Sequence, residues 1–80
     1  MKAVMHNVNI RGCEMKENKK GEGYLLVRFE DETGKPEELV DKDMERRKYY
    51  VRDKVGDLHI NIDVGSKFTT IRIIDFVITE

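Results

Sequence analysis

The stretch DLHINIDVGSKFTTIRIIDFVIT, residues 57–79, decides the fold because its pattern predicts two β-strands joined by a short turn. Apolar and polar residues alternate from Leu58 to Val64. Since side chains on a strand point to opposite faces in turn, one face of this strand is predicted to be apolar. Gly65 follows in the turn, where a glycine can adopt a positive φ. The second strand is predicted to begin at Phe68.

The second strand of this hairpin changes phase along its length. Ile71 and Ile73 are apolar in one phase, whereas Ile74, Phe76 and Ile78 are apolar in the other. Because a slip of one residue moves every side chain to the opposite face, we expect a β-bulge or a sharp coil near residues 73–74. Such features are common where a sheet curls into a barrel. The alternative is a strand that is buried on both faces for part of its length.

Further short strands are predicted in the rest of the chain. In the first, over residues 2–10, Val4, Val8 and Ile10 are expected to share one face. This strand can continue past Gly12, because a glycine inside a strand often marks a bulge. The other strands are predicted over residues 24–31, 37–40 and 48–52.

A turn or at most one short helix is predicted between these strands. Asp41 or Asp43 can cap it, and it would run from Met44 to Lys48. The sequence therefore predicts one domain over residues 1–80, with about five or six antiparallel strands joined by short connections. The fold class that fits best is all-β, a small five-stranded antiparallel Greek-key barrel of the OB kind. An SH3-like barrel is the main alternative.

Composition and length limit the class of protein. The chain of 80 residues has 39% charged residues, which is typical of a small and highly soluble domain. It has no long apolar run that predicts a membrane span and no apolar segment at its start that predicts a secretory signal. The single cysteine, Cys13, cannot form an internal disulfide. We therefore expect a cytoplasmic protein that does not act on a membrane.

Charge is distributed unevenly although the formal net charge is only −1. Residues 30–43 contain seven acidic residues against two lysines, and residues 46–54 contain five basic residues against one aspartate. Lys16, Lys19 and Lys20 form a second basic cluster. Such a distribution can place a basic stripe on one side of a domain and an acidic one on the other.

Signals for catalysis or metal binding are weak. The only serine, Ser66, has no histidine near it in the sequence. His6, His59 and Cys13 do not have the spacing of a metal site. The GEG sequence at 21–23 is not followed by the Gly-Lys-Ser/Thr of a phosphate-binding loop. We expect no enzymatic activity, no cofactor and no metal.

Aromatic residues that alternate with basic ones are the stronger functional signal. Proteins bind single-stranded nucleic acid by stacking bases on aromatic rings while Lys and Arg follow the phosphates. Tyr24 shares a predicted strand face with Arg28, and Phe68 precedes Arg72 by a few residues. Tyr49 and Tyr50 follow Arg46 in a basic stretch, and alternation predicts that one of the two points inward and the other outward. Each ring could instead pack in the core.

Two patches of the chain resemble the gene V family of filamentous-phage single-stranded DNA-binding proteins. Residues 19–26, KKGEGYLL, are similar to that family's basic, glycine-containing hairpin loop and the tyrosine strand after it. The second patch combines Tyr50-Val51 with 64–68, VGSKF, and 74–78, IDFVI. It is similar to the family's tyrosine–valine strand, its Val-Gly-x-Phe hairpin tip and its closing strand.

This resemblance implies an OB-type barrel, a homodimer and cooperative coating of single-stranded DNA during rolling-circle replication. It implies that Tyr24 stacks on bases, that Lys16, Lys20 and Arg28 contact phosphates, and that Phe68 is an aromatic residue at a projecting loop tip.

The sequence therefore predicts a single-stranded DNA-binding protein of a phage or mobile element that binds without sequence preference. RNA remains open as a ligand, because nothing in the sequence distinguishes the 2′-hydroxyl. The alternative is a protein-interaction module on the same barrel, with the acidic segment 30–43 as its working surface. The expected nucleic-acid-binding residues are Lys16, Lys20, Tyr24, Arg28, Arg46, Tyr49, Tyr50, Phe68 and Arg72.

Overall fold

The computed structural model describes all residues from 1 to 80. Its five strands are β1 (Lys2–Glu17), β2 (Gly23–Glu30), β3 (Pro36–Asp41), β4 (Val55–Val64) and β5 (Thr69–Ile78). A 3₁₀ helix, Met44–Tyr49, connects β3 to β4. The all-β prediction and the single short helix are confirmed.

All five strands belong to one sheet, in the order β1-β2-β3-β5-β4, and β4 also pairs with β1, so the pairing closes on itself. Four of the five strand pairs are antiparallel. The exception is β3 with β5, which run parallel where Val40 pairs with Arg72 and Asp41 with Ile73. The sheet is therefore mixed, and the expectation of a purely antiparallel sheet is corrected for this short contact.

The core lies inside this closed sheet. On β2, Leu25, Val27 and Phe29 are fully buried, as their alternation predicts. They pack with apolar residues from every strand except β3, and Leu39 of β3 packs against the cluster from its edge. The ten residues of the cluster are Val8, Ile10, Leu25, Val27, Phe29, Tyr50, Leu58, Ile60, Ile73 and Phe76.

The phase change in β5 is a bulge, as predicted. Leu58 of β4 pairs with Phe76, and Ile60 pairs with Ile73, so β5 has one more residue than β4 between these two pairs. Ile73 and Phe76 are both buried although they are three residues apart. The extra residue lets both strand segments turn their apolar side chains inward, as a curled sheet requires.

β1 bends twice, and one of the two bends was not predicted. The pairing of β1 with β2 shifts between Ile10 and Gly12, which confirms the bulge expected at the glycine. A second shift lies between Met5 and Val8, where Asn7 adopts a φ of 55°. Because of this shift Val4 is exposed, so the prediction that Val4 shares a face with Val8 and Ile10 is wrong. Asparagine tolerates left-handed backbone better than most residues, which explains why the bulge can form there.

The prediction of a strand over residues 48–52 is also wrong. The 3₁₀ helix continues through Tyr49, and Tyr50 turns into the core. The predicted helix start is confirmed, because the Asp43 side chain accepts a hydrogen bond from the backbone N–H of Glu45 (3.0 Å).

The turn between β4 and β5 needs its glycine for a different reason from the one expected. The positive-φ glycines are Gly12, Gly21 and Gly34, so Gly65 is not among them. Its N–H donates to the Phe68 carbonyl (2.8 Å), and a Cβ on Gly65 would lie 2.8 Å from that oxygen. Close approach of the two backbones, and not a left-handed conformation, favours glycine in this turn.

Gly56 offers a test of how tightly β4 and β5 are packed. A Cβ at this position would lie 2.3 Å from the Val77 carbonyl oxygen and 2.8 Å from the Phe76 ring. We expect Gly56→Ala to lower the free energy of unfolding by about 1–3 kcal/mol, because the strands must shift to accept the methyl group. Gly23→Ala is the matched control, since its Cβ would make only an ordinary 3.7 Å contact with Met44. Urea unfolding of both variants measures the difference, and equal stabilities would contradict this account.

Candidate nucleic-acid interface

The outward face of β1, β2 and β3 carries three of the nine predicted binding residues, Lys16, Tyr24 and Arg28. Because Leu25, Val27 and Phe29 point inward, the alternate residues Tyr24 and Arg28 point outward. Other outward residues of this face follow from the strand register. Lys16 of β1 is paired with Tyr24, Arg28 with Glu38, and Leu26 with both Glu14 and Val40.

The parallel contact between β3 and β5 adds Arg72 to this surface. Arg72 is paired with Val40, while its neighbour Ile73 is paired with the buried Asp41. Arg72 is therefore directed to the same outward side as Val40. Arg72 takes part in none of the ion pairs of the molecule, so no carboxylate oxygen lies within 4.0 Å of its guanidinium.

Tyr24 borders a groove of about 350 Å³. The other residues that line it are Val40 of β3, Lys42, Asn18 and Glu22 of the β1–β2 turn, and Gly23 at the start of β2. Lys42 follows the inward-pointing Asp41 directly, so its side chain is exposed on the outward side. Lys42 is not among the binding residues predicted from the sequence. The signal that could have found it is the register of β2 with β3, which places residue 42 beside Tyr24.

The turn that carries Lys20 is held in one conformation by its own hydrogen bonds. The Asn18 side chain accepts from the backbone N–H groups of Lys20 (2.9 Å) and Glu22 (3.0 Å). Gly21 adopts a φ of 79°, which favours glycine at that position. Lys19 and Lys20 are exposed and have no carboxylate partner. The turn therefore presents two free positive charges next to the Tyr24 groove.

Arg28 is not free in this structure. Its guanidinium donates to Glu14 of β1 and to Glu38 of β3, both at 3.1 Å. The hydrogen bond from Arg28, together with the nearby Lys16 ammonium at 3.4 Å, lowers the pKa of Glu14 below its usual range. Since all four side chains are about half exposed to solvent, these ion pairs are weak and can exchange for another anion.

Arg46 and Tyr50 are withdrawn from the surface by the fully buried Asp41. Arg46 donates to both carboxylate oxygens, with Nε 2.6 Å from Oδ2 and Nη2 3.0 Å from Oδ1, and it also pairs with Asp43. The Tyr50 hydroxyl donates to Asp41 as well. With Tyr50 only 3% exposed, its ring has no free face for a base, and the proposed stacking role of Tyr50 is corrected to a structural one. Arg46 is likewise occupied by internal carboxylates.

Tyr49 and Phe68 lie on elements apart from this face. Tyr49 is exposed at the end of the 3₁₀ helix, and the Lys48 ammonium lies 5.2 Å from its ring centroid. The inward–outward split expected for Tyr49 and Tyr50 is therefore confirmed, although in a helix end and not in a strand. Phe68 is 77% exposed at the tip of the β4–β5 hairpin.

The predicted residues thus separate into three groups. Lys16, Lys20, Tyr24, Arg28 and Arg72 lie together on the outward face or in the turn beside it. Arg46 and Tyr50 belong to the internal network of Asp41, and Tyr49 and Phe68 stand on other elements. The face itself combines one half-buried ring with several cations, some free and some paired, which is an arrangement suited to binding an extended polyanion.

Other chemical sites are not formed by these residues. His, Cys, Asp and Glu side chains do not gather anywhere in groups of three or more that could hold a metal ion. None of the helical segments has the length and apolar character needed to cross a membrane. Comparison with protein-family models, curated proteins and solved structures finds no significant match to this chain. The function must therefore be argued from the geometry of the site.

The Tyr50–Asp41 hydrogen bond predicts a specific loss of stability in alkali. Burial, and then the hydrogen bond to Asp41, raise the pKa of the Tyr50 hydroxyl above its usual value. In the unfolded chain the tyrosine loses its proton near pH ~10, whereas in the folded protein it keeps it. The contribution of Tyr50 to the free energy of unfolding is therefore fully present below pH ~10. Above that pH it falls by up to about 1.4 kcal/mol per pH unit.

We expect Tyr50→Phe to lower stability at pH 7 by about 1.5–3 kcal/mol, because Asp41 loses a hydrogen bond, and to remove this alkaline slope. Tyr49→Phe, on the exposed neighbouring ring, should keep the slope. Urea unfolding between pH 8 and pH ~11 measures both effects. Equal slopes in wild type and Tyr50→Phe would show that the buried hydroxyl has no such role.

Proposed function

We propose that this protein binds single-stranded DNA without sequence preference, on a five-stranded Greek-key barrel of the OB kind, and that it carries out no chemical reaction. The observation that carries the proposal is where the candidate residues lie on the strands. OB-folds bind oligonucleotides on the face of strands 2 and 3 and with the loops between strands 1 and 2 and between strands 4 and 5. Tyr24 and Arg28 lie on β2, Lys20 lies in the β1–β2 turn, and Phe68 lies in the β4–β5 turn.

The closed strand order supports the same barrel. A ring of five strands, with β1 paired to both β2 and β4, leaves only the short β3–β5 contact as a weak seam. A small domain gains stability from such closure because few strand edges stay open. This order favours the OB-type barrel over the SH3-like alternative.

Binding would combine stacking with phosphate contacts. A base stacks on the Tyr24 ring, which is worth about 1–3 kcal/mol per base for an aromatic platform. Lys16 is paired with Tyr24, Lys42 lines the same groove, and Arg72 lies on the same outward side beyond Val40. These cations would meet the phosphates of the bound strand. Every base has a π-face, so this mode requires no particular sequence. A DNA strand and an RNA strand both satisfy it.

The formal charge of −1 is compatible with such a ligand because phosphates meet local clusters of cations, and because some of the acidic residues are engaged within the fold. Asp41 is buried against Arg46, Asp43 caps the 3₁₀ helix, and Asp31 accepts hydrogen bonds within the β2–β3 turn from Thr33 and Lys35. The affinity for the nucleic acid should depend on salt according to the number of phosphates that the unpaired cations neutralise, and not according to the total charge of the protein.

The biological setting that we propose is replication of a phage or mobile element in the cytoplasm, with the protein acting as a homodimer. The β4–β5 hairpin supports a dimer, since Val64 and Phe68 at its tip are 74% and 77% exposed. When a second subunit covers apolar side chains that are exposed to this degree, apolar surface is removed from water, and this stabilises the dimer.

A protein-interaction module is the second candidate function. The exposed apolar hairpin tip favours it, whereas the acidic segment 30–43 does not, because Asp41, Asp43 and Glu38 are already paired. A partner that is recovered equally well after nuclease treatment would favour this candidate over the first.

Tyr24 provides the main test of the proposal. We expect Tyr24→Ala to weaken binding of a fluorescent oligo-dT by about 5- to 150-fold, because one stacking interaction is lost. Tyr24→Phe retains the ring and should bind as wild type does. Fluorescence anisotropy at low salt measures both, and added salt should release the oligonucleotide. Absence of binding by wild-type protein at low salt, or equal binding by the alanine variant, would refute the proposal.

The carboxylates around Arg28 provide a second test. We expect Glu14→Gln with Glu38→Gln to tighten oligo-dT binding by up to about fivefold at low salt, because two weak ion pairs no longer compete with phosphate for the guanidinium. Glu32→Gln with Glu80→Gln changes the net charge equally but lies away from this face, and it serves as the control. If both double variants gain equally, the effect comes from net charge, and Arg28 is not a phosphate contact.

A further inference from the structure

Four cations in residues 47–54, the last part of the connection between β3 and β4, have no carboxylate partner. Arg47, Lys48, Arg52 and Lys54 are all exposed, and none of them takes part in an ion pair. The only aspartate among them, Asp53, lies 3.7 Å from the Arg11 guanidinium, so its charge is already partly balanced. This segment therefore keeps a local excess of positive charge that the fold does not use.

The segment that carries these cations contacts one edge of β1 at both of its ends. At one end, the Asp53 N–H donates to the Ile10 carbonyl, and the Ile10 N–H donates to the Lys54 carbonyl, both at 2.8 Å. At the other end, the Arg47 guanidinium lies 3.6 Å from the Met15 sulfur. Ile10 and Met15 are paired with Phe29 and Leu25, which are four residues apart on β2, because a bulge follows Ile10. Since a strand rises about 3.3 Å per residue, the distance from Ile10 to Met15 is about 13 Å.

This edge of β1 is not covered by another strand. β1 pairs with β4 only as far as Asn9, and from Gly12 to Glu17 its only strand partner is β2, on the other side. The next residue after Met15 is Lys16, which is paired with Tyr24 on the outward face. The basic row formed by Arg47, Lys48, Arg52 and Lys54 therefore ends beside the candidate interface.

We propose that this basic row is a second phosphate-binding track for the same nucleic-acid strand. The strand that stacks on Tyr24 passes over the free edge of β1 at Lys16 and continues along the row toward Lys54. This inference rests on the proposed function, and it adds the path and the length of the bound strand. Arg46, which the sequence placed in this cluster, is not part of the track because Asp41 and Asp43 hold it.

Continuity and rigidity favour a polynucleotide as the ligand. The row continues directly from Lys16, and its far end is fixed to β1 by backbone hydrogen bonds, so its cations are held on a stationary backbone. The exposed Tyr49 ring lies beside Lys48 and gives the track one aromatic surface next to the positive charges. A basic groove with aromatic rings at intervals is the usual design of sequence-independent single-strand binding.

The test compares oligonucleotides of two lengths with one double variant. Arg52→Gln with Lys54→Gln removes two cations whose side chains make no contact with a carboxylate. For the whole chain with dT20, we expect weaker binding and a slope of log K against log salt that is smaller by about 1.4, since each phosphate contact contributes about 0.7 for single strands. For dT5, which reaches the Tyr24 face alone, binding should equal that of wild type.

A control and a competitor complete the design. Lys2→Gln with Lys35→Gln removes the same charge elsewhere on the surface and should leave both lengths unaffected. If Arg52→Gln with Lys54→Gln binds dT20 as tightly as this control does, or if its affinity for dT5 and dT20 falls equally, the track is refuted while the proposed function stands. If wild-type protein binds neither oligonucleotide, the proposed function fails first. Equal loss of a 20-base-pair duplex would assign the row to duplex DNA and overturn the proposal.

Discussion

The buried carboxylate of Asp41 determines how this small domain is closed. A fully buried charge is tolerated only when it is paired and hydrogen-bonded, and Asp41 accepts from Arg46, from Tyr50 and from the backbone N–H of Asp43. All three donors come from the connection after β3. To satisfy one side chain, this connection must therefore fold back under the sheet, where Tyr50 packs against Phe76 with ring centroids 5.4 Å apart.

The same residue sets the orientation of the candidate interface. Asp41 is paired with Leu25 on one side and with Ile73 on the other, so it joins β2, β3 and β5 at the point where the parallel contact forms. With Asp41 held inward, its neighbours Val40 and Lys42 must point outward. The outer surface near Tyr24 is thus a consequence of an interior ion pair, and removing one partner of such a pair is costly because the other charge stays buried.

The sequence predicted those parts of the fold that depend on local pattern. Alternation identified the buried residues of β2, the phase change identified the bulge in β5, and Asp43 was among the residues expected to cap the helix. Local pattern failed where a distant partner decides the conformation. Propensity favours a strand at Tyr49 and Tyr50, but the 3₁₀ helix extends through Tyr49 and a hydrogen bond to Asp41 holds Tyr50 in the core. The bulge at Asn7 has no equally clear sequence signal, and the pattern alone therefore misplaced Val4.

The candidate site was predictable to a similar degree. Hairpin geometry brings Lys16 beside Tyr24, so these two residues could be paired from the sequence. Lys42 could be found only once the register of β2 with β3 is known, and the engagement of Arg46 could not be predicted because it depends on the burial of Asp41. Arg72 reaches the face only through a parallel contact between strands that are far apart in the chain.

The pair of carboxylates that holds Arg28 has a consequence for the size of ligand that the face admits. Glu14 and Glu38 act as resident anions, and a visiting anion must replace them at the guanidinium or share it with them. Because these ion pairs are weak, an isolated phosphate or a mononucleotide gains little from exchange at one guanidinium, whereas a polymer adds several such contacts along one chain. For the proposed ligand, the acidic residues on this surface would therefore favour a polymer over free nucleotides.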